Sequence, residues 1–222
     1  MSPQRLVILR PEPGASATLA KAREIDLEAL TCPLFDVRGV TWEAPELSSF
    51  DGLLLTSANA VRHAGDRLES LRGLKVYAVG EATAAAAREA GFDIAATGDA
   101  GIERLLGSIE ADLKLLHLCS PERRVPGGAR QEITPLVVYR SVAIGSPNLP
   151  ELKGAIVLLH SPRTASRFAQ LVAERAQVSV VAISEETASA AGSGWASMDT
   201  AERPNDDALL ALAAALCNKP QP

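Results

Sequence analysis

Hydroxyl side chains recur at one kind of place in this chain, where a short aliphatic run gives way to a helix-forming stretch. Thr56-Ser57-Ala58-Asn59 follows Leu53 to Leu55, and Gly80-Glu81-Ala82-Thr83 follows Val76 to Val79. Ser120-Pro121-Glu122 follows Leu115 to Leu118, Ser161-Pro162-Arg163 follows Ile156 to Leu159, and Ser184-Glu185-Glu186-Thr187 follows Val178 to Ile183. A hydroxyl at a helix start accepts a hydrogen bond from an orphaned backbone N–H and stabilises by about 1 kcal/mol. The same helix ends carry free N–H groups and the positive pole of the helix dipole, which suit an anion. Recurrence in both halves predicts helix starts gathered around a shared cleft. Through them an acidic chain can hold an acidic ligand without a basic patch.

Other chemistries have little footing. There is no G-x-x-x-x-G-K-[ST] phosphate loop, no G-x-G-x-x-G fingerprint after a strand and no G-x-S-x-G elbow. His63, His117 and His160 are not spaced as helical metal pairs, and His117 and His160 read as hydrogen-bonded core or rim residues. We expect neither metal nor cofactor. The net charge of -5 argues against nucleic acid, since neutralising phosphates takes clustered Lys and Arg; the Arg123-Arg124 pair is too small a cluster. Three separated cysteines, Cys32, Cys119 and Cys217, offer no Cys-x-x-Cys pair and suit a reducing cytoplasm. The longest apolar run, Ala208 to Cys217, is half of the ~20 residues that a membrane span needs and reads as a buried helix. Leu6 to Leu9 is too short for a signal-peptide core.

The elements that must position these hydroxyls follow an α/β plan. The aliphatic runs, Leu6 to Leu9 among them, lack polar alternation, as strands covered on both faces do. Ala82 to Ala90 and Ala165 to Arg175 carry strong helix formers without Gly or Pro. Strand then helix is the repeating unit.

The two halves also repeat at an offset of 104 residues. Leu54-Leu55-Thr56-Ser57 falls on Leu158-Leu159-His160-Ser161, Val76 to Ala84 on Val180 to Ala188, and Leu105-Leu106 on Leu209-Leu210. Three segments in register predict two similar parallel-sheet domains, flavodoxin-like in plan. Leu34 to Ala44 and Glu132 to Ile144 are β-branched and break the alternation, so they are expected to be extended connectors. Pro135, if in a strand, must sit at an edge or a strand start. Tyr139 lies on the second connector, where it would border the cleft.

Leu9-Arg10-Pro11, Leu55 to Val61 (LTSANAV), Ala78 to Ala84 (AVGEATA), Val138-Tyr139, Ser161-Pro162 and Thr187-Ala188 together resemble the uroporphyrinogen-III synthase family. The resemblance runs over nearly the whole chain, by order and spacing rather than by any single motif. It implies one discontinuous domain, 1–33 plus 145–222, a second at 40–132, and β connectors at 34–39 and 133–144. It also implies the ligand, hydroxymethylbilane with its eight carboxylates, and its cyclisation with inversion of ring D. Tyr139 matches the family's tyrosine and is implied to assist loss of the substrate hydroxyl. Arg10, Thr56, Ser57, Ala58, Asn59, Thr83, Ser120, Ser161 and Thr187 match positions implied to border the substrate. The chain departs from the commoner pattern at His160, where an apolar or aromatic residue is usual, and at Ser184, where glycine often stands. A monomer with no bound cofactor is implied, with hydroxymethylbilane synthase as a possible transient partner. A noncatalytic two-lobed protein closing on a small anion would use the same helix ends, and fold alone does not separate the two.

Overall fold

The structure is a computed structural model that describes residues 5–99, 101–123 and 126–217; Arg124 of the basic pair lies outside them. It divides into two compact units, one formed by the chain up to Asp36 together with that from Ala143 onward, the other by Val37–Val142.

The unit from Val37 to Val142 contains β4 (Gly52–Leu55), α2 (Ala58–His63), β5 (Lys75–Val79), α3 (Glu81–Glu89), β6 (Ile94–Gly98), α4 (Ile102–Ser108), β7 (Lys114–Cys119) and β8 (Glu132–Val137). All its sheet pairings are parallel, in the order β6-β5-β4-β7-β8. β4 is central and buried throughout, because Leu53 and Leu55 face one core with Leu116 and Leu118 while Leu54 faces another with Leu105 and Leu115. A strand apolar at every position is stable only between two helical layers.

The other unit repeats that plan. It contains β1 (Leu6–Ile8), α1 (Gly14–Glu24), β2 (Ala29–Thr31), β10 (Ile156–Leu159), α5 (Pro162–Leu171), β11 (Ser179–Ala182), α6 (Glu185–Ala191), β12 (Ser197–Thr200) and α7 (Asp206–Cys217). Its sheet runs β12-β11-β10-β1-β2, again all parallel. The 104-residue offset carries β4 onto β10, β5 onto β11 and α4 onto α7. Val7, Leu9, Val157 and Phe168 lie in one core, and Leu6, Ile8, Ile156 and Leu209 in the other. The fold is therefore the expected one: two similar parallel-sheet α/β units. A small sheet of β3 (Phe35–Gly39) and β9 (Tyr139–Ala143) stands apart from both. Bonds from the Val40 N–H to the Val138 carbonyl and from the Ile144 N–H to the Leu34 carbonyl bracket it as antiparallel.

Several expectations need correction. Residues 133–137 of the expected second connector belong instead to β8, which pairs with β7 from Lys114↔Glu132 to Cys119↔Val137. A β-branched run reads alike as connector or edge strand, and β8 is an edge, so Pro135 is tolerated there. The changeovers between units fall at Asp36/Val37 and Val142/Ala143, within β3 and beside the end of β9. The helix expected at Ala165 to Arg175 begins at Pro162, which suits a first-turn proline, and ends at Leu171. The last helix is not buried all round: Leu209, Leu210 and Ala213 form its buried stripe, and Asp207 and Ala211 are exposed. Among the described residues, no helix is long and apolar enough to cross a membrane.

Phe168 is fully buried on α5 and stacks on Trp195 with ring centroids 5.2 Å apart. Phe168→Ala should destabilise by about 3–5 kcal/mol in urea unfolding, since both the transfer term and the residual cavity are lost.

Candidate functional site

A parallel sheet whose strand order reverses beside its central strand opens a crevice at the carboxyl ends of the two strands flanking the reversal. In the unit from Val37 to Val142 these are β4 and β7. Thr56 leaves β4 with its hydroxyl 3.1 Å from Nε2 of His117 on β7, so one hydrogen bond spans the reversal. Ser57 is the N-cap of α2 and accepts from the Asn59 N–H at 3.2 Å. His117 is 1% exposed. Burial first, and then the nearby Arg123 charge, push its pKa down from 6.5 to about 4, so it is neutral at physiological pH.

In the discontinuous unit the reversal lies between β10 and β1. Arg10 follows β1 and His160 follows β10. Both reach Asp206, the first residue of α7: Arg10 Nη1 donates to Oδ1 at 3.0 Å and His160 Nε2 lies 2.9 Å from the same oxygen. Thr18 of α1 donates to Oδ2 at 2.8 Å and accepts from Arg10 at 3.2 Å. Burial opposes ionisation of Asp206. The hydrogen bonds from His160 and Thr18 and the charges of His160 and Arg10 outweigh it, leaving the pKa at about 2. Asn205 caps α7 by accepting from the Ala208 N–H at 2.9 Å, which fixes where Asp206 stands.

The matched residues divide by what their side chains do. Ser161 caps α5, accepting from the Thr164 N–H at 3.2 Å. Ala58 opens α2, where Asn59 supplies the capped N–H. Thr83 and Thr187 are not caps. Each is the third residue of its helix and buried, at 5% and 0% exposure. The Thr187 hydroxyl lies 3.1 Å from that of Ser184, which caps α6 by accepting from the Thr187 N–H. α3 instead starts at Gly80, whose φ of 84° favours glycine. Among the described residues no helix lies between Ser120 and β8; the chain turns at Ser120, with the Arg123 N–H on the Ser120 carbonyl. Tyr139 is half-buried on β9 against the core containing Trp42 and Val138, its ring centroid 6.5 Å from that of His63.

Sequence reasoning missed Asp206 and Thr18. Asp206 has one legible mark, its place just after a helix-capping Asn205. Nothing local ties it to Arg10, 196 residues away.

A family model described as uroporphyrinogen-III synthase HemD matches residues 16–211. A curated uroporphyrinogen-III synthase of Chlorobaculum parvum is 29% identical over 87 residues, 35% of this chain; the matched stretch spans only 35% of that relative's length. Uroporphyrinogen-III synthetase of Helicobacter pylori superposes with a TM-score of 0.70 at 20% identity, covering 96% of this chain and 99% of that one. A mutant Thermus thermophilus uroporphyrinogen III synthase gives 0.54 at 20% identity, over 97% and 100%. At such identities the likeness is one of fold.

Two titrations couple the site to stability, in separate pH windows. From 6.5 down to about 4 the unfolded chain takes up a proton that folded His117 refuses, so stability falls by roughly 3 kcal/mol through that range. From 3.8 down to about 2 the unfolded Asp206 protonates before the folded one, and a further contribution of about 2 kcal/mol is lost. Urea midpoints across pH should show His117→Asn flattening the first window and Asp206→Asn the second.

Proposed function

We propose a cyclase activity from one premise: the chain belongs to the uroporphyrinogen-III synthase family. The family match across residues 16–211 is the observation that carries the proposal. In this reading the protein converts hydroxymethylbilane to uroporphyrinogen III as a hydro-lyase of tetrapyrrole biosynthesis. The hydroxyl on the ring A methylene leaves as water, giving an azafulvenium-type electrophile. Ring D attacks through its already substituted α-carbon, forming a spiro intermediate. The older bond to that carbon then breaks, the freed methylene rejoins at the other α-carbon of ring D, and loss of that carbon's proton restores the pyrrole.

Electron-rich pyrroles supply most of the reactivity, so the protein's task is to hold the bilane where the substituted carbon attacks first. The strand-end features of each unit suit the eight carboxylates: the starts of α3 and α5, the Arg10 guanidinium, and the backbone around Thr56 and Ser57. Thr83 and Thr187 act in this reading by packing the starts of α3 and α6 rather than through their buried hydroxyls. Tyr139 makes no hydrogen bond through its hydroxyl to the described residues, which leaves that proton available to the departing hydroxyl. We take the protein as a cytoplasmic monomer that receives its bilane from hydroxymethylbilane synthase. Cys32, Cys119 and Cys217, which form no disulfide among the described residues, suit a reducing compartment.

Supplied with hydroxymethylbilane, the protein should yield the type III isomer in place of the type I isomer that forms spontaneously; chromatography showing type I alone would refute the activity and favour a noncatalytic anion-binding role. Tyr139→Phe should slow turnover by about tenfold without abolishing it, less than the ~10²–10⁴-fold that a committed general acid contributes, because the pyrroles supply most of the reactivity. Unchanged turnover would remove Tyr139 from the mechanism.

A further inference from the structure

Arg10 is held through one of its guanidinium nitrogens and keeps two without a hydrogen-bond partner among the described residues. Its Nη1 group is committed, to Asp206 at 3.0 Å and to Thr18 at 3.2 Å. Its Nε–H and Nη2 groups have no hydrogen-bond partner among the described residues, while the side chain keeps 33% exposure. Those two groups form the side-on fork of a guanidinium, the edge that receives a carboxylate through two parallel hydrogen bonds. The guanidinium also lies against the backbone of Gly14, the first residue of α1. A Cβ at Gly14 would stand 2.4 Å from Nε, 2.8 Å from Cζ and 2.9 Å from Nη2. The absent side chain therefore gives the Arg10 head the space it occupies. Asp206 is itself held by Thr18 at 2.8 Å and His160 at 2.9 Å, so the carboxylate that aims Arg10 has little freedom.

This constellation sits at the strand reversal between β10 and β1, where a ligand of an open α/β sheet is expected. An ion pair serving stability alone has no need of a vacant side-on fork at that place. We infer that Asp206 and Gly14 are positioning residues that aim the Nε/Nη2 edge of Arg10 at one carboxylate of the tetrapyrrole substrate. The inference rests on the proposed function for the identity of that ligand. Asp206 fixes the direction of the head and Gly14 leaves the space for it, so Arg10 pays little conformational entropy when the carboxylate arrives.

The two positioning residues can be separated from mere structural ones because one of them acts only through space. Gly14→Ala adds only a methyl at the first residue of α1, so its melting temperature should fall no further than that of Arg10→Met, which removes the same pair with Asp206. Its methyl must nevertheless push the mobile end of Arg10 aside. The probe is uroporphyrin III, a stable tetrapyrrole with the same eight carboxylate arms, titrated by fluorescence against the folded proteins well below their melting temperatures. Arg10→Met, Gly14→Ala and Asp206→Asn should each raise the Kd about tenfold, the size of one charge-assisted pair. In an Arg10→Met background, Gly14→Ala and Asp206→Asn should add nothing, because both act through the same head group. A wild-type Kd in Gly14→Ala, or a further loss on top of Arg10→Met, would overturn the inference. A failure of the wild type to form the type III isomer would instead overturn the activity, and leaves the comparison of Kd values intact.

Discussion

The parallel pairing of β1 with β10 is the constraint from which the discontinuous unit follows. Leu6 pairs with Ile156 and Ile8 with Leu158, although the whole of the other unit lies between these strands in sequence. Closing so long a loop costs entropy, though the cost grows only slowly with length. Burial offsets it: Leu6, Val7, Ile8, Ile156, Val157 and Leu158 are all fully enclosed. The same pairing creates the reversal in strand order. It sets the end of β1 beside the end of β10, and hence Arg10 near His160, within reach of a carboxylate from α7. Without that pairing there is neither a complete sheet nor a crevice.

Electrostatics act here at short range. A chain of net charge -5 is a poor general attractor of polyanions. Beyond a Debye length of about 8 Å at physiological ionic strength, however, exposed charges are largely screened, so contacts decide. Asp206 would by itself repel a carboxylate, yet in its place it engages Arg10 on Nη1 and leaves the other edge of the guanidinium open. In the other unit, neutral His117 adds no charge and spans the reversal through Thr56. The two units thus share a strand order and differ in how the reversal is bridged, by a charged cluster in one and a neutral pair in the other.

Much of this was legible in the sequence because it is local or periodic. The aliphatic runs specify buried strands, and the 104-residue offset specifies two units of one plan, since β4 and β10, β5 and β11, and α4 and α7 begin at that spacing. Ser57 and Ser161 read correctly as caps because capping is decided within three residues. Thr83 and Thr187 read alike with them but lie one turn inside their helices, a shift no larger than the usual uncertainty of a helix boundary. Glu132 to Val137 was illegible as a sheet strand because an edge strand has one partner and reads like a connector. The Asp206 cluster was illegible for another reason: its four side chains come from four segments that only the folded sheet assembles.

The central claim is that this fold makes the substituted carbon of ring D the first to bond. Bilane carrying 13C at both the hydroxymethyl carbon and that ring D α-carbon tests it most directly by NMR of the product. Attack through the substituted carbon joins the two labels, and a one-bond 13C–13C coupling must appear. A product without that coupling, its labels joined to unlabelled neighbours as in direct closure, would contradict the account.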